Sequence, residues 1–281
     1  MNTVDLHIHS EYSDGSCSVD EILDIVEEKG MYAFSITDHD TFAVYEELKN
    51  KKFSGQLIKG IELSCVDTRT QKDVHILGYC LPEKTEHIDI LCAKTRERLH
   101  EKALWQIQQL RAHEYEITVE EVQQYAKKSG TIYKQHILQV LVDKGYCDEL
   151  YAPLYQTLFK NSGICQKEME YPSVKEAIEA IHEDGGIAIL AHPYQSHVEE
   201  ELLRFYELGI NGIEVYHSSH NKEQVEYLHA FAKNYHLLQT GGSDFHGKYG
   251  KEPMIGEVQS EWRSEEHCLC KMKYWKAQYY L

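Results

Sequence analysis

The sequence predicts an α/β fold built on a mostly parallel sheet, open or closed into a barrel. Two observations carry this. Short apolar runs alternate with helical patterns along most of the chain, and several helices open on recognisable caps. Alternation of this kind places crossover helices against a sheet. Residues 4–8, 32–36, 57–63, 74–79, 187–191, 212–216 and 237–240 read as buried strands. Between them, Ser18-Val-Asp-Glu21 and Ser173-Val-Lys-Glu176 are capping boxes, in which hydroxyl and carboxylate satisfy backbone donors of the first turn. A third helical pattern covers 221–234.

One connection departs from the alternation. The chain between 63 and 74 is too short for a crossover, which takes about a dozen residues. The third and fourth strands therefore form an antiparallel hairpin with 68–73 near its turn. This puts Glu62 and His75 at the same end of the sheet.

Residues 83–171 differ in character. A helical stretch at 91–112 carries Leu99, Ala103, Ile107 and Leu110 on one stripe, Thr118-Val-Glu-Glu121 caps another helix, and a third at 136–144 ends at Gly145. Helix follows helix without a strand, so the segment reads as an insertion. It is expected to cap the site, because sites in such folds lie at the strands' C-terminal ends. The expected organisation is a discontinuous barrel of residues 1–82 and 172–260, the insertion at 83–171, and a tail at 261–281 with no assigned role.

The 281 residues are 42% hydrophobic and 27% charged, with a net charge of −17. Broad coating of duplex nucleic acid is excluded, since phosphate neutralisation by basic residues supplies most such affinity. Carboxylates gathered at a metal site are offset by the cations they bind, so an anionic substrate remains compatible. No apolar run approaches the ~20 residues needed to span a bilayer. The eight cysteines are scattered without a C-x-x-C pair and no secretory leader opens the sequence. Reduced thiols and a cytoplasmic location are the expectation.

Seventeen histidines are the strongest compositional signal. They recur with carboxylates at the strand ends: Asp5-Leu-His7-Ile-His9, then Asp14 in the following turn; Asp38-His39-Asp40; Gly60-Ile-Glu62; His75; Ala191-His192-Pro193; Glu214-Val-Tyr216-His217 with His220 beyond; and Ser243-Asp244-Phe245-His246. Strand alternation points His7 and His9 to one face. Singly, each has a structural reading: Asp38 or Asp40 as an N-cap, His192 as a packed loop residue. Jointly they do not, because buried His, Asp and Glu at one end of every strand are costly without partners. Imidazole and carboxylate without thiolate suit Mn, Fe or Zn in a reactive site. The donors exceed what one metal needs, so two or three are implied. Such pairs activate water and clamp a phosphoryl group.

In this order the segments resemble the PHP family, named for polymerase and histidinol phosphatase, from residue 5 to residue 247. The resemblance implies a distorted (β/α)7 barrel and a trinuclear site of two to three divalent metal ions. His7, His9, Glu62 and Asp244 would hold the first metal, Glu62, His75 and His192 the second, and Asp14, His39 and His246 the third. A metal-bridging hydroxide would be the nucleophile. The long insertion is similar to the branch that includes nucleoside 3′,5′-bisphosphate phosphatases and short-RNA 5′-exonucleases. There the insertion carries Gly-Arg-Pro-His or Thr-Arg-Ala-His. This chain has Tyr133-Lys134-Gln135-His136, so a point charge stands where a bidentate fork is usual.

The expected activity is hydrolysis of a phosphate ester of a small phosphorylated metabolite, a nucleotide or short oligonucleotide first. Lys134 and His136 are candidates for reaching the substrate phosphate, and His220 for a phosphate contact or proton donation. Asp38 is expected to orient a ligand histidine through its second nitrogen. Tyr133 or Tyr194 could stack on a base. His217 has no settled role. The alternatives are an amidohydrolase, a histidinol-phosphatase-like monoesterase, and a non-catalytic module that would need a polymerase partner.

Overall fold

In a computed structural model, residues 3–250 and 253–258 are described, and the expected tail at 261–281 lies outside them. The first strand, β1 (Val4–Ile8), is buried along its whole length. Ser18 opens α1 (Val19–Glu28) with the expected capping box, and Val19, Ile22, Leu23 and Val26 face inward. Next come β2 (Ala33–Ile36), α2 (Val44–Leu48) and β3 (Gln56–Leu57), which complete a parallel sheet ordered β1-β2-β3. The chain then enters a second sheet through β4 (Gly60–Val66) and β5 (Asp73–Tyr79).

Four helices follow: α3 (Glu86–Ala112), α4 (Val119–Gln123), α5 (Lys134–Asp143) and α6 (Pro153–Phe159). Alternation then resumes with α7 (Val174–Glu183), β6 (Ile187–Leu190), α8 (Leu202–Leu208), β7 (Gly212–Tyr216), α9 (Lys222–Asn234) and β8 (Leu238–Gly241). The second sheet is ordered β4-β5-β6-β7-β8. The expected hairpin is present: β4 and β5 run antiparallel, with Ser64 opposite His75. β5 is antiparallel to β6 as well, while β6, β7 and β8 are parallel.

Two expectations are corrected. The strand read at 57–63 is two strands, because Gln56–Leu57 pairs with β2 and Gly60–Val66 pairs with β5. A continuous apolar run does not reveal that its two halves bond to different neighbours. The barrel, moreover, is not closed by continuous ladders. The two sheets meet through single bridges, Ile8 to Phe245 and His39 to Glu62, held by His9 N–H donating to Phe245 O at 2.8 Å and Asp40 N–H to Glu62 O at 2.9 Å. Both bridges lie among the predicted ligands, so the seams between sheets are where those side chains converge.

One apolar cluster joins both sheets through Val4, Leu6, Ala33, Leu77, Tyr79, Ile189 and Leu238. The helical segment has its own cluster, including Ile107, Leu110, Ile137, Leu141, Leu158 and Phe159. α3 links the two regions: Ile88 and Cys92 pack with the barrel helices, and Ala103 and Ile107 with the helical segment. At 27 residues it is roughly 40 Å long, enough to reach from one to the other. The thiols of Cys17, Cys65, Cys92, Cys147 and Cys165 are free.

Candidate metal centre

All nine residues expected to hold metal come together at one end of the strands. β1 and the residue after it supply His7 and His9, both fully buried. Their Nε2 atoms lie 3.1 and 3.0 Å from Glu62 Oε2, and 3.4 and 3.3 Å from Asp244 Oδ1. The other Glu62 oxygen, Oε1, is 2.9 Å from His75 Nδ1 and 3.1 Å from His192 Nε2. Asp14 Oδ1 is 3.3 Å from His246 Nε2 and 3.9 Å from His39 Nε2. The backbone is left-handed at Asp40, His192 and Asp244. Such conformations in non-glycine residues cluster at functional sites, where the surrounding structure enforces them.

The donor atoms fall into three groups, each within 4.8 Å of one another: His7, His9, Glu62 and Asp244; His39, Glu62 and His75; and His9, Asp14, His39 and His246. This differs from the expected partition: His39 takes the place expected of His192 beside Glu62 and His75, and His192 belongs to none of the three groups although its Nε2 is 3.1 Å from Glu62 Oε1. His9 and His39 each present one nitrogen to the Glu62 side and the other to Asp14, so each imidazole faces two groups.

The centre fits divalent cations on its own geometry. His7 Nε2, both His9 nitrogens, His39 Nδ1 and Glu62 Oε2 are buried without a hydrogen-bond partner, although Glu62 Oε2 is 3.0 to 3.4 Å from three of those nitrogens. Atoms that close yet unbonded surround a shared point. Asp14, Glu62 and Asp244 carry three carboxylates into this space, and burial of such charge requires a counter-charge. Burial alone would raise the Glu62 and Asp244 carboxyls, but the adjacent histidines hold both well below the usual range. Burial would likewise lower His246, yet Asp14 and Asp244 push it up to about 10. His39 goes the other way, down to about 3, chiefly through burial.

Three other expectations change. Asp38 does not orient a ligand histidine. Its carboxylate accepts from Ser10 N–H at 2.8 Å and from the Ser10 and Ser13 hydroxyls at 2.6 Å each, and so shapes the turn that presents Asp14. His136 does not line the cavity. It is the third residue of α5 and its Nδ1 accepts from Tyr133 N–H at 3.1 Å, closing the helix start. His220 is set back, its Nδ1 against Val215 O at 3.0 Å. Burial pulls it down to about 4. Lys134 does line the cavity. Tyr133 spends its hydroxyl on His39 O at 2.9 Å, and the Tyr194 ring meets His220 edge-on. His217 Nε2 lies 3.5 Å from Asp244 Oδ2.

Two contributors had been given no role by the sequence reading. Glu214 is fully buried on β7. It accepts from His7 Nδ1 at 3.0 Å and His192 N–H at 2.9 Å, setting the orientation of two ligands. The available signal was an acidic residue inside an apolar strand. Gln135 donates from Nε2 to Asp14 Oδ2 at 2.6 Å; sequence offers no sign of it. Outer-shell carboxylates of this kind are worth about 10- to 100-fold in metal affinity or activity. Glu214→Ala is expected to weaken metal binding by that factor with little change in circular dichroism. Unaltered metal titration would remove Glu214 from the centre.

A hydrolytic metal centre at the rim of an α/β barrel is the class these features define. The comparisons agree. The family model for the PHP domain matches residues 5–240, and the chain belongs to the PHP family. It is 37% identical over 254 residues to phosphoribosyl 1,2-cyclic phosphate 1,2-diphosphodiesterase of Eggerthella lenta, covering 90% of this chain and 97% of that one. It is 26% identical to the 3′,5′-nucleoside bisphosphate phosphatase of Chromobacterium violaceum, over 90% of both. A solved structure from Bifidobacterium adolescentis, described as a metal-dependent phosphoesterase, superposes with a TM-score of 0.83 at 28% identity over 92% of each chain. The protein is a divalent-metal-dependent hydrolase of phosphate esters. No helix among the described residues is long and apolar enough to cross a membrane.

Proposed function

We propose that the substrate is a small ribose-based phosphate ester, with a cyclic phosphate of a phosphorylated ribose as the first choice. The carrying observation is the placement of the metal ligands. Asp14, His39, Glu62, His75, His192, Asp244 and His246 border one cavity of about 1220 Å³, walled on its other sides by residues of α3, α5 and α6. Such a space suits a nucleotide-sized ligand. The helical segment over the rim disfavours duplex nucleic acid. The Eggerthella relative, aligned over nearly all its length, supports the cyclic phosphate. A nucleoside bisphosphate is the second reading, favoured by Tyr151, Tyr155, Tyr171 and Tyr249 on the same walls, since aromatic rings stack on bases.

Two or three Mn, Fe or Zn ions are the fitting complement, in the three groups described above. When bound, such ions supply Lewis acidity and activated water at neutral pH. The chain's own residues do the rest. Glu214 holds His7 and His192 in orientation, Asp38 fixes the turn before Asp14, and Gln135 ties Asp14 to the helical segment. With the nine ligands already gathered, reorganisation during reaction is small.

The test is phosphate release from a panel: phosphoribosyl 1,2-cyclic phosphate, a 3′,5′-bisphosphonucleoside, histidinol phosphate, short 5′-phosphorylated RNA and an aryl phosphate, with manganese or chelator. Metal-dependent release led by the cyclic phosphate is expected. A clear lead for RNA or histidinol phosphate would replace the substrate proposal, and no release from metal-loaded protein would end it.

A further inference from the structure

The start of α5 meets the candidate metal centre at three points. Gln135 Nε2 donates to Asp14 Oδ2 at 2.6 Å. Tyr133, the residue before the helix, donates its hydroxyl to His39 O at 2.9 Å. The His136 ring stands edge-on to Tyr249 with centroids 6.2 Å apart, and Tyr249 N–H donates to His246 O at 3.3 Å. Asp14, His39 and His246 belong to one donor group, which His9 completes. Among the described residues, the hydrogen bonds that the helical segment gives to candidate ligands go to Asp14 and His39 alone. The other ligands are supported from the barrel: His7 and His192 by Glu214, His192 also by Ser196, and Asp244 by Gln195.

Asp14 Oδ1 faces His9, His39 and His246 at 3.6, 3.9 and 3.3 Å. Gln135 engages the other oxygen, so Oδ1 is the one turned to the group. A neutral amide donor fixes the rotation of a carboxylate without cancelling the charge that attracts a cation. Tyr133 acts on the loop that carries His39. The backbone at Asp40 is left-handed, and Arg96 on α3 donates to Asp40 O, so the carbonyls of His39 and Asp40 are both held from the helical segment. The branch pattern has proline or alanine at the position of Gln135, and neither carries a side-chain donor. The tie to Asp14 is therefore a feature of this chain and not of the pattern. Farther out, Glu47 Oε2 accepts from Lys128 Nζ at 2.8 Å and from the Tyr12 hydroxyl at 2.7 Å. This seam is polar, and such contacts exchange with water at small net cost. Opening it is easier than undocking α3, whose Ile88 and Cys92 sit in an apolar cluster with the barrel helices.

We propose that Tyr133 and Gln135 are positioning residues through which the helical segment completes the group of His9, Asp14, His39 and His246, so that one metal of the centre is held tightly only while the segment is seated. Seating and metal binding at that group then favour each other by the same factor. This rests on the divalent-metal reading of the centre and gives the segment a role in it besides walling the cavity.

The test is manganese titration of the metal-free full chain, with free manganese read by electron paramagnetic resonance. Wild type is compared with Gln135→Ala, which installs a residue of the branch pattern, and with Tyr133→Phe, which keeps the ring. One class of site should weaken about tenfold or more in Gln135→Ala, with the remainder at wild-type affinity, and Tyr133→Phe should weaken the same class. Unchanged affinities, or an equal fall in every class, overturn the proposal. Lys128→Glu sets like charges against Glu47 and touches no ligand. It should weaken that class from a distance, and wild-type affinity there would overturn the dependence on seating. Hydrogen exchange gives the reciprocal reading. Over residues 119–143 it should slow when manganese is added to the wild type, and slow less in Gln135→Ala. No response to manganese in the wild type overturns the coupling. A wild-type chain that binds no manganese defeats the metal reading itself, a result distinct from binding that the variants leave unchanged.

Discussion

Glu62→Gln is expected to abolish turnover while leaving the fold in place. The carboxylate sits at the seam between the two sheets and contacts five imidazoles, those of His7, His9, His39, His75 and His192. It belongs to two of the three donor groups. Glutamine keeps the shape and one acceptor but removes the charge that draws cations to both. Loss of several kcal/mol of metal-derived stabilisation corresponds to at least about a 10³-fold drop in kcat. Metal content, measured by elemental analysis after gel filtration, should fall with it, and circular dichroism should stay as in the wild type. A variant that retains its metals and stays within about tenfold of wild-type turnover would refute the bridging position of Glu62.

Gly242→Val is expected to damage both stability and the centre. β8 runs so close to β1 that a Cβ at Gly242 would stand 2.3 Å from His7 Cβ and 2.6 Å from His7 N. The obstacle is backbone and the first side-chain carbon of a neighbouring strand, which no rotamer change can move aside. The strand carrying His7 must shift, or β8 must. Overpacking of this severity costs about 3 kcal/mol or more, which in a chain of this size is a Tm lowered by roughly 6–12 °C. Because the displaced residue is a candidate ligand, metal affinity should fall together with Tm. Wild-type values of both would show that the strands separate at no cost, against the close approach seen here.

The histidines and carboxylates that the structure gathers into the candidate centre were readable before the fold was known because their chemistry is conspicuous. Histidine, aspartate and glutamate are expensive inside apolar strands, so each strand end that carried one stood out, and the family resemblance ordered them. The β4–β5 hairpin was readable for a different reason: eleven residues or so cannot make a parallel return. The parts that were not readable share one cause, since each depends on which partner a side chain meets across the molecule. Asp38 has two serines within reach and accepts from both, and no histidine hydrogen-bonds to it among the described residues. His136 satisfies its own helix start. Glu214 looked like one more acidic residue until His7 and His192 were found on its two oxygens.

The sequence by itself determined the α/β class, the hairpin, the helical segment and which nine side chains were candidates for the metal centre, because these rest on periodicity, chain length and the cost of burying charge. Tertiary structure alone decided that the two sheets meet at single bridges among the candidate ligands, that His9 and His39 each face two donor groups, and that four lysines with no ion pair among the described residues share the cavity with the candidate metal centre. Lys102 and Lys167 are 65 residues apart in the chain, and no local pattern links them. Their meeting depends on how α3 and the segment after α6 pack, and that is a property of the folded core.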